Sequence, residues 1–209
     1  MSPRFVIMGP QGSGKGTQAC LLSRHHGIPT ISTGDIFREA TTQGTELGRL
    51  ARSYTLRGEL VPDEVTNAMV RERLDQPDAA EGFILDGYPR NAAQVTELDA
   101  ILADRGVALD KVIQLVADRD ELLARIELRA AREGREDDTH DAIARRLDIY
   151  DEQTAPLTEA YAARDVGAED VAGGDVRDAE TCRDHDGLGP LARTGRAHQH
   201  DAHQRRNPS

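Results

Sequence analysis

Residues 5–17 read FVIMGPQGSGKGT, and this stretch decides the fold. The four apolar residues at its start predict a buried strand, and the glycine-rich segment after them predicts a loop at the N-terminus of a helix. Glycines let the backbone N–H groups of such a loop point inward at an anion, with no Cβ in the way. Lys15 adds a mobile positive charge that suits phosphate oxygens. The stretch therefore predicts a phosphate-binding loop.

One position departs from the strict phosphate-loop pattern G-x-x-x-x-G-K-[ST]. Gly9, Gly14 and Lys15 match it, but Gly16 stands where the pattern has a hydroxyl residue, and Thr17 follows one place later. The alternative is a glycine-rich turn before an ordinary helix. The order of strand, glycines, lysine and hydroxyl favours phosphate binding. A hydroxyl at this place can help to organise Mg²⁺ through water, and no direct protein ligand is assigned to the metal.

The overall composition limits the class of protein. The chain has 209 residues and a formal net charge of -11, from 26 basic and 37 acidic residues. This length has room for one domain with a substantial core and small inserts. The acidic balance argues against a nucleic-acid partner, because a phosphate backbone would be repelled. No apolar run is long enough for a membrane span or a signal peptide, so we expect a cytoplasmic protein without a membrane partner.

Strands alternate with helices along most of the chain. Apolar runs at 83–85 and 112–116, and a shorter run at 28–31, predict strands separated by amphipathic helices. This alternation is typical of a parallel sheet with helices on both faces and a ligand at the carboxyl ends of the strands. Residues 38–74 read instead as a small helical insert. Asp86 ends one strand, where a carboxylate can hold Mg²⁺ or its waters; the alternative is a plain turn-forming residue.

The last part of the chain loses these patterns. Thr139 is predicted to start a helix that runs to about Tyr161, with a kink or break near Pro156. Residues 165–209 hold few large aliphatic side chains and no aromatic one. We therefore expect a disordered tail. Without a further strand, the strand at 111–117 would be an exposed edge of the sheet.

Four motifs in order resemble those of adenylate kinases: GPQGSGKGTQ (9–18), STGD (32–35) with Arg38, DGYPR (86–90) with Gln94, and GREDDT (134–139). The resemblance is closest to bacterial members with a short lid, and these kinases carry the same Gly16-Thr17 variant of the loop. It covers residues 1–161 and implies a P-loop three-layer α/β/α fold with a parallel sheet. The parts implied are a helical NMP-binding insert at 32–61, a short lid at 128–138, and a divergent tail at 162–209 in which the family's last strand and helix are missing.

The resemblance also implies an activity: reversible phosphoryl transfer from Mg²⁺-ATP to AMP, giving two ADP, by a monomer that serves purine nucleotide homeostasis. The residues implied for ATP are Gly12, Ser13, Gly14, Lys15, Gly16, Thr17, Arg125 and Arg129. Those implied for AMP are Thr33, Arg38, Glu59, Leu60, Val61, Gly87, Tyr88, Pro89, Arg90, Gln94, Arg135 and Arg146. The catalytic set implied is Lys15, Arg90, Arg129, Arg135 and Arg146. Phosphoryl transfer needs this kind of set, since it depends on positioning and positive charge and needs no protein nucleophile.

Several alternatives stay open. A UMP/CMP kinase is the nearest, although Thr33 and the amide of Gln94 favour AMP, because members that act on those pyrimidines usually have alanine in place of the threonine. A nucleotide-binding pseudoenzyme, impaired by the altered C-terminus, is another. Any single arginine could be a solvent-exposed charged residue on a helix with no role in the site, and Glu121 could pair with Arg125. The lid has no cysteine, so no structural zinc is expected there. Leu128 stands where many members have a small residue, which bears on the mobility of the lid.

Overall fold

Five parallel strands form one sheet, in the order β2-β3-β1-β4-β5. The computed structural model describes residues 2–133, 138–164 and 167–172, with backbone alone for 131–133 and 167–172. The strands are β1 (Arg4–Met8), β2 (Thr30–Ser32), β3 (Phe83–Asp86), β4 (Lys111–Val116) and β5 (Gly167–Ala172). The predicted parallel α/β sheet is confirmed, and the strand that precedes the glycine-rich loop lies at its centre.

Helices connect the strands within the described ranges. They are α1 (Lys15–His26), α2 (Thr33–Thr42), α3 (Glu46–Thr55), α4 (Asp63–Leu74), α5 (Ala92–Asp104), α6 (Arg119–Glu133), α7 (His140–Ile149) and α8 (Leu157–Ala162), with a 3₁₀ turn at Pro77–Ala79 and a π-helical turn at Tyr150–Thr154. The pair α2 and α3 occupies the stretch predicted to be a helical insert. Each of the two has a hydroxyl residue as its N-cap: the side chain of Ser32 accepts from the N–H of Asp35, and that of Thr45 accepts from the N–H of Gly48. None of the helices in these ranges is long and apolar enough to cross a membrane.

The sheet is buried on both faces, as continuous apolar strands require. Val6 and Leu85 face a large cluster built with α4, α5 and α8, whereas Ile7 and Ile84 face a smaller cluster with α1. This is the two-residue alternation of a strand. Because β1 and β3 pair directly, with Ile7 opposite Asp86, the loops that follow them leave the sheet at the same edge. That edge is where a ligand is expected.

The end of the chain differs from the expectation. Residues 167–172 pair in parallel with β4 along its whole length, from Lys111 opposite Gly167 to Val116 opposite Ala172. The expectation that the last strand is missing is therefore wrong for these residues, and β4 is not an edge strand. Sequence reading missed β5 because it holds a single large aliphatic residue, Val171, whereas ladder pairing uses main-chain groups that every residue has. Whether the family's last helix is missing too, as expected, concerns residues 173–209, which lie outside the described part of the chain.

Candidate active site

A cavity of about 750 Å³ opens at the carboxyl edge of the sheet. Its walls come from the glycine-rich loop, the α2–α3 pair, the segment after β3, and the facing sides of α6 and α7. Most of the residues predicted from the sequence line it: Gly12, Gly14, Lys15, Gly16, Thr17, Thr33, Arg38, Glu59, Leu60, Val61, Asp86, Gly87, Pro89, Arg90, Gln94, Arg125, Arg129 and Arg146. The fold thus brings the two predicted nucleotide subsites into one space.

The glycine-rich loop wraps the N-terminus of α1. Gly12 and Gly14 have φ angles of +86° and +92°, a region that favours glycine. A Cβ on Gly12 would also lie 2.9 Å from the carbonyl oxygen of Leu122. Gly14 is the N-cap and has no side chain that could accept from the N–H groups of the helix end. The first N–H groups of α1 therefore face the cavity as an anion-binding end.

Lys15 folds back over this loop. Its Nζ donates to the carbonyl oxygens of Gly9 and Pro10, at 2.8 and 2.9 Å. Burial lowers the pKa of Lys15 to about 8, and the carboxylate of Asp86 opposes that shift only in part. Burial likewise raises the pKa of Asp86, against the pull of the Lys15 ammonium. An added anion would favour the charged ammonium, so phosphate binding is expected to raise the pKa of Lys15 again.

Arg90 is fixed in the segment after β3. Its N–H donates to Oε1 of Gln94 at 2.8 Å, and its Nε donates to the carbonyl oxygen of Gly87 at 2.8 Å. Its own carbonyl oxygen accepts from Oγ1 of Thr154 at 2.7 Å. Burial lowers the pKa of Arg90, with Asp86 opposing, but a guanidinium stays charged in proteins. The result is a cation held at a defined place in the cavity.

Polar groups suited to a purine lie on the side of the cavity that holds the residues predicted for AMP. The hydroxyl of Thr33 donates to the carbonyl oxygen of Gly87 at 3.1 Å, which leaves its oxygen able to accept. The amide of Gln94 accepts from Arg90 and donates to Oδ1 of Asp63 at 2.7 Å, so one amide hydrogen remains for a ligand. Arg38 pairs with Asp35 at the mouth of the cavity.

Asp138 forms ion pairs with two arginines that line the cavity, Arg129 and Arg146. Its side chain is 0% exposed, and it accepts from Nη2 of Arg129 at 2.8 Å and from Nη1 of Arg146 at 2.9 Å. Nε2 of Gln11, in the glycine-rich loop, donates to the same carboxylate at 2.7 Å. Burial alone would raise the pKa of Asp138, but the two arginines and Gln11 outweigh it and hold that pKa below its usual range. A buried carboxylate therefore lies between two arginines for which the family resemblance implies contacts with phosphates.

Arg125 forms the ion pair with Glu121 that the sequence analysis gave as the alternative to a role in nucleotide binding. Its Nη2 lies 2.5 Å from Oε1 of Glu121, one turn earlier in α6. Nevertheless, within the described residues, Nη1 of Arg125 and Nε of Arg129 are buried without a hydrogen-bond partner. Buried donors are normally satisfied. The ion pair with Glu121 thus leaves this arginine pair with capacity for an anion.

Two predicted residues, Ser13 and Tyr88, are not brought into the cavity. Ser13 and Tyr88 are 0% and 1% exposed and do not line it; the Tyr88 hydroxyl instead donates to Oδ1 of Asn67 at 2.8 Å. Arg135 lies outside the described residues.

Sequence reasoning overlooked three residues that the structure places at the cavity or its arginines. Gln11 and Asp138 had a weak signal, since each lies inside a motif that carries other functional residues. Thr154 had none, because its position depends on the π-helical turn that contains it. A further link, from Nη2 of Arg146 to the carbonyl oxygen of Thr55 at 2.9 Å, joins α7 to α3 above the cavity.

Oxygen donors suitable for Mg²⁺ lie along one wall. The carboxylate of Asp86 and the hydroxyl of Thr17 both line the cavity, and Mg²⁺ prefers oxygen ligands while keeping several waters. In the described ranges there is no group of three His, Cys, Asp or Glu residues that could hold a metal ion by itself. These residues therefore fit Mg²⁺ that arrives with nucleotide phosphates rather than a closed protein site.

Comparison with known proteins points to one family. The family model described as adenylate kinase matches residues 7–166. A protein named adenylate kinase from Bifidobacterium longum is 60% identical over 161 residues, which are 77% of this chain and 87% of that protein. Proteins of the same name from Nocardioides sp. and Kocuria rhizophila are 58% and 57% identical over 163 residues, 78% of this chain and 85% and 87% of theirs. Each match takes in most of the relative's length.

Proposed function

The chain belongs to the adenylate kinase family, and we propose that its cavity carries out reversible phosphoryl transfer from Mg²⁺-ATP to AMP, giving two ADP. The family is the one that the four sequence motifs predicted. Relatives with this name make the chain a nucleoside monophosphate kinase, that is, a phosphotransferase. The observation that carries the proposal is the convergence of Lys15, Arg90, Arg129 and Arg146 on one cavity from four different elements.

The donor half of the cavity is proposed to hold ATP. Its phosphates would lie against the N-terminus of α1 and the ammonium of Lys15, where N–H groups and charge favour anions. Residues 12–17 supply those backbone groups. Arg125 and Arg129, with buried guanidinium N–H groups that lack a partner in the described part of the chain, would meet the rest of the nucleotide.

The acceptor half is proposed to hold AMP. The oxygen of Thr33 can accept from an exocyclic amino group, and the remaining amide hydrogen of Gln94 can donate to a ring nitrogen. Arg38 and Arg90 would hold the phosphate. Residues 59–61 close this side, and the walls of the α2–α3 pair form the proposed NMP-binding insert at 32–61.

The transfer step needs charge, alignment and a dry site more than it needs covalent chemistry from the protein. Lys15, Arg90, Arg129 and Arg146 supply positive charge around the equatorial oxygens of the moving group, and removal of one such group costs on the order of 10²-fold or more in rate. For Arg129 and Arg146, the phosphates would compete with the carboxylate of Asp138, which accepts from both. From the family pattern we assign the same role to Arg135. When bound with the nucleotide, Mg²⁺ would neutralise phosphate charge near Asp86 and Thr17.

Contacts between α7 and the α3 region support the exclusion of water. Arg146 reaches the carbonyl oxygen of Thr55 at 2.9 Å, and Arg145 pairs with Glu59 at 3.2 Å. A cover of this kind protects ATP from hydrolysis while an acceptor is absent. We propose that 1–161 is the kinase core, 128–138 its short lid and 162–209 a divergent tail, and that the enzyme works as a cytoplasmic monomer.

An acceptor panel tests the proposal. ADP formation from Mg²⁺-ATP is measured with AMP, CMP, UMP and GMP at equal concentrations, with Arg90→Ala as the inactive-site control. We expect turnover with AMP at least tenfold above the other acceptors, and a loss on the order of 10²-fold in the variant. A preference for CMP or UMP would mean that the acceptor is a pyrimidine nucleotide and not AMP. A folded protein that binds ATP but transfers to no acceptor would contradict the activity.

A further inference from the structure

The π-helical turn between α7 and α8 decides which side chain faces Arg90. The N–H of Ala155 donates to the carbonyl oxygen of Tyr150 at 2.9 Å, a five-residue spacing that defines such a turn. Pro156 follows at once and has no N–H with which to continue an α-helical ladder. An α-helix turns about 100° per residue, so one extra residue rotates every later side chain by about that angle. Isolated π-turns occur frequently at functional sites.

Thr154 is the last residue of this turn and lies against the cavity. It is 7% exposed, and its Oγ1 donates to the carbonyl oxygen of Arg90 at 2.7 Å. The two residues are 64 positions apart, so this bond joins the α7–α8 segment to the loop after β3. A buried hydroxyl with good geometry toward a backbone carbonyl makes a specific, directional contact.

The same loop is held at other points by contacts already described. Gln94 accepts from the N–H of Arg90, and Gly87 accepts from its Nε, both at 2.8 Å. Thr154 adds the contact on the carbonyl side, so the peptide groups on both sides of the Arg90 Cα are fixed. With the backbone and Nε fixed, the two Nη groups of Arg90 are left with a defined direction. A displacement of about 1 Å at such a group can cost on the order of 10²-fold in rate.

We propose that Thr154 is a positioning residue for Arg90: its hydroxyl, placed by the π-helical turn, sets the Arg90 backbone so that the guanidinium meets the phosphates. The inference rests on the proposed kinase function for its catalytic consequence, but the Thr154–Arg90 contact itself does not depend on a nucleotide. Thr154 acts through Arg90 and is not itself assigned a contact with the transferring group.

Four single variants and one double mutant test this. Thr154→Val removes the hydroxyl and keeps the shape, and Thr154→Ser restores the hydroxyl. Thr158→Val is the matched control, because Thr158 lies on α8 away from the cavity and its Oγ1 has no hydrogen-bond partner in the described residues. Arg90→Ala, alone and combined with Thr154→Val, closes a double-mutant cycle, which measures whether two residues act through one another.

The kinetic expectations are specific. Thr154→Val is expected to lower kcat by about tenfold, in the range of a lost hydrogen bond to a backbone carbonyl, with the KM for ATP within twofold of wild type. Thr154→Ser and Thr158→Val should stay within about threefold of wild type. In the Arg90→Ala background, Thr154→Val should add less than twofold. Multiplicative losses in the cycle, or equal losses in Thr154→Val and Thr158→Val, would overturn the proposal.

An NMR measurement separates this inference from the proposed function. The Nε–H signal of Arg90, assigned by its loss in Arg90→Ala, reports the bond to Gly87 without any nucleotide. We expect this signal to move in Thr154→Val, to return in Thr154→Ser, and to stay in place in Thr158→Val. An unmoved signal in folded Thr154→Val overturns the positioning role even if the enzyme is active. A moved signal supports it even if the wild-type protein forms no ADP, a result that would overturn the kinase proposal alone.

Discussion

The pKa of Lys15 provides a direct test of the donor half of the site. Without nucleotide, burial lowers this pKa to about 8, from an ordinary value of 10.5. The polyphosphate of ATP would place several negative charges beside the ammonium and favour its charged form. ATP binding is therefore expected to raise the pKa of Lys15 and to take up a proton from the solvent at alkaline pH.

The size of the effect follows from the two protonation states. With a pKa of about 8, Lys15 is about 90% protonated at pH 7 and about 10% protonated at pH 9. If only the charged form binds ATP well, the affinity for Mg²⁺-ATP should fall about tenfold between these two pH values. Proton uptake should be close to 0.1 per ATP at pH 7 and about 0.9 at pH 9.

The composition makes the assay simple, because the chain holds just two lysines, Lys15 and Lys111. With ¹³C-labelled lysine, the Cε signals can be titrated directly, and the Lys111→Arg variant identifies which signal belongs to Lys15. We expect a midpoint near pH 8 without nucleotide, displaced by at least two units to higher pH in saturating Mg²⁺-ATP. Calorimetry in two buffers of different ionisation enthalpy gives the proton uptake independently.

Two results would refute the reasoning. A midpoint for Lys15 near 10 in the free protein would mean that its ammonium is not buried as described. A midpoint near pH 8 that does not move with ATP would mean that the phosphates do not lie beside Lys15, and the donor half would then have to be placed elsewhere.

Three further predictions follow from single contacts. Asp138→Asn should lower the Tm at pH 7, and its difference in Tm from wild type should become smaller as the pH falls below about 4. The reason is that a carboxylate with a lowered pKa stabilises the folded protein above that pH range, and this contribution is lost when the carboxylate is protonated. Thermal melts of both proteins at pH 7 and pH 3 measure the difference. Gly48→Ala would place a Cβ against the carbonyl oxygen of Ala40 and overpack the contact between α2 and α3. We expect the free energy of unfolding, measured with urea, to fall by about 1–3 kcal/mol. A decrease below about 0.5 kcal/mol would contradict this close contact. Thr33→Ala should reduce the preference for AMP over CMP by about tenfold in the acceptor panel, whereas Thr96→Ala, at an exposed position of α5, should leave that preference unchanged.

The local features of the fold could be predicted from the sequence. In residues 5–26, an apolar run predicts the strand, the glycines predict the loop, and the helix-forming residues after them predict the helix. These three features are adjacent in the chain. The break near Pro156 follows in the same way from the missing N–H of proline, and the structure confirms it with a π-helical turn before that residue. In each case the cause and the structure it produces lie within a few residues of each other.

Features that depend on distant partners could not be predicted. β5 forms because β4 offers unpaired main-chain groups, so its own side chains give little sign of it. Asp138 is decisive because two arginines from α6 and α7 reach it, which its place in a motif did not reveal. The role of Thr154 depends on a rotation of about 100° introduced by one extra residue in a helix, and no sequence period contains that information.

The central claim is that this cavity transfers the γ-phosphoryl group of ATP to AMP and excludes water while doing so. The most direct test is ³¹P NMR of the purified chain with Mg²⁺-ATP, first without AMP and then with it, following ADP and inorganic phosphate together. We expect no phosphate release without AMP, and two ADP formed for each ATP consumed once AMP is added. Release of inorganic phosphate at a similar rate with and without AMP would contradict it.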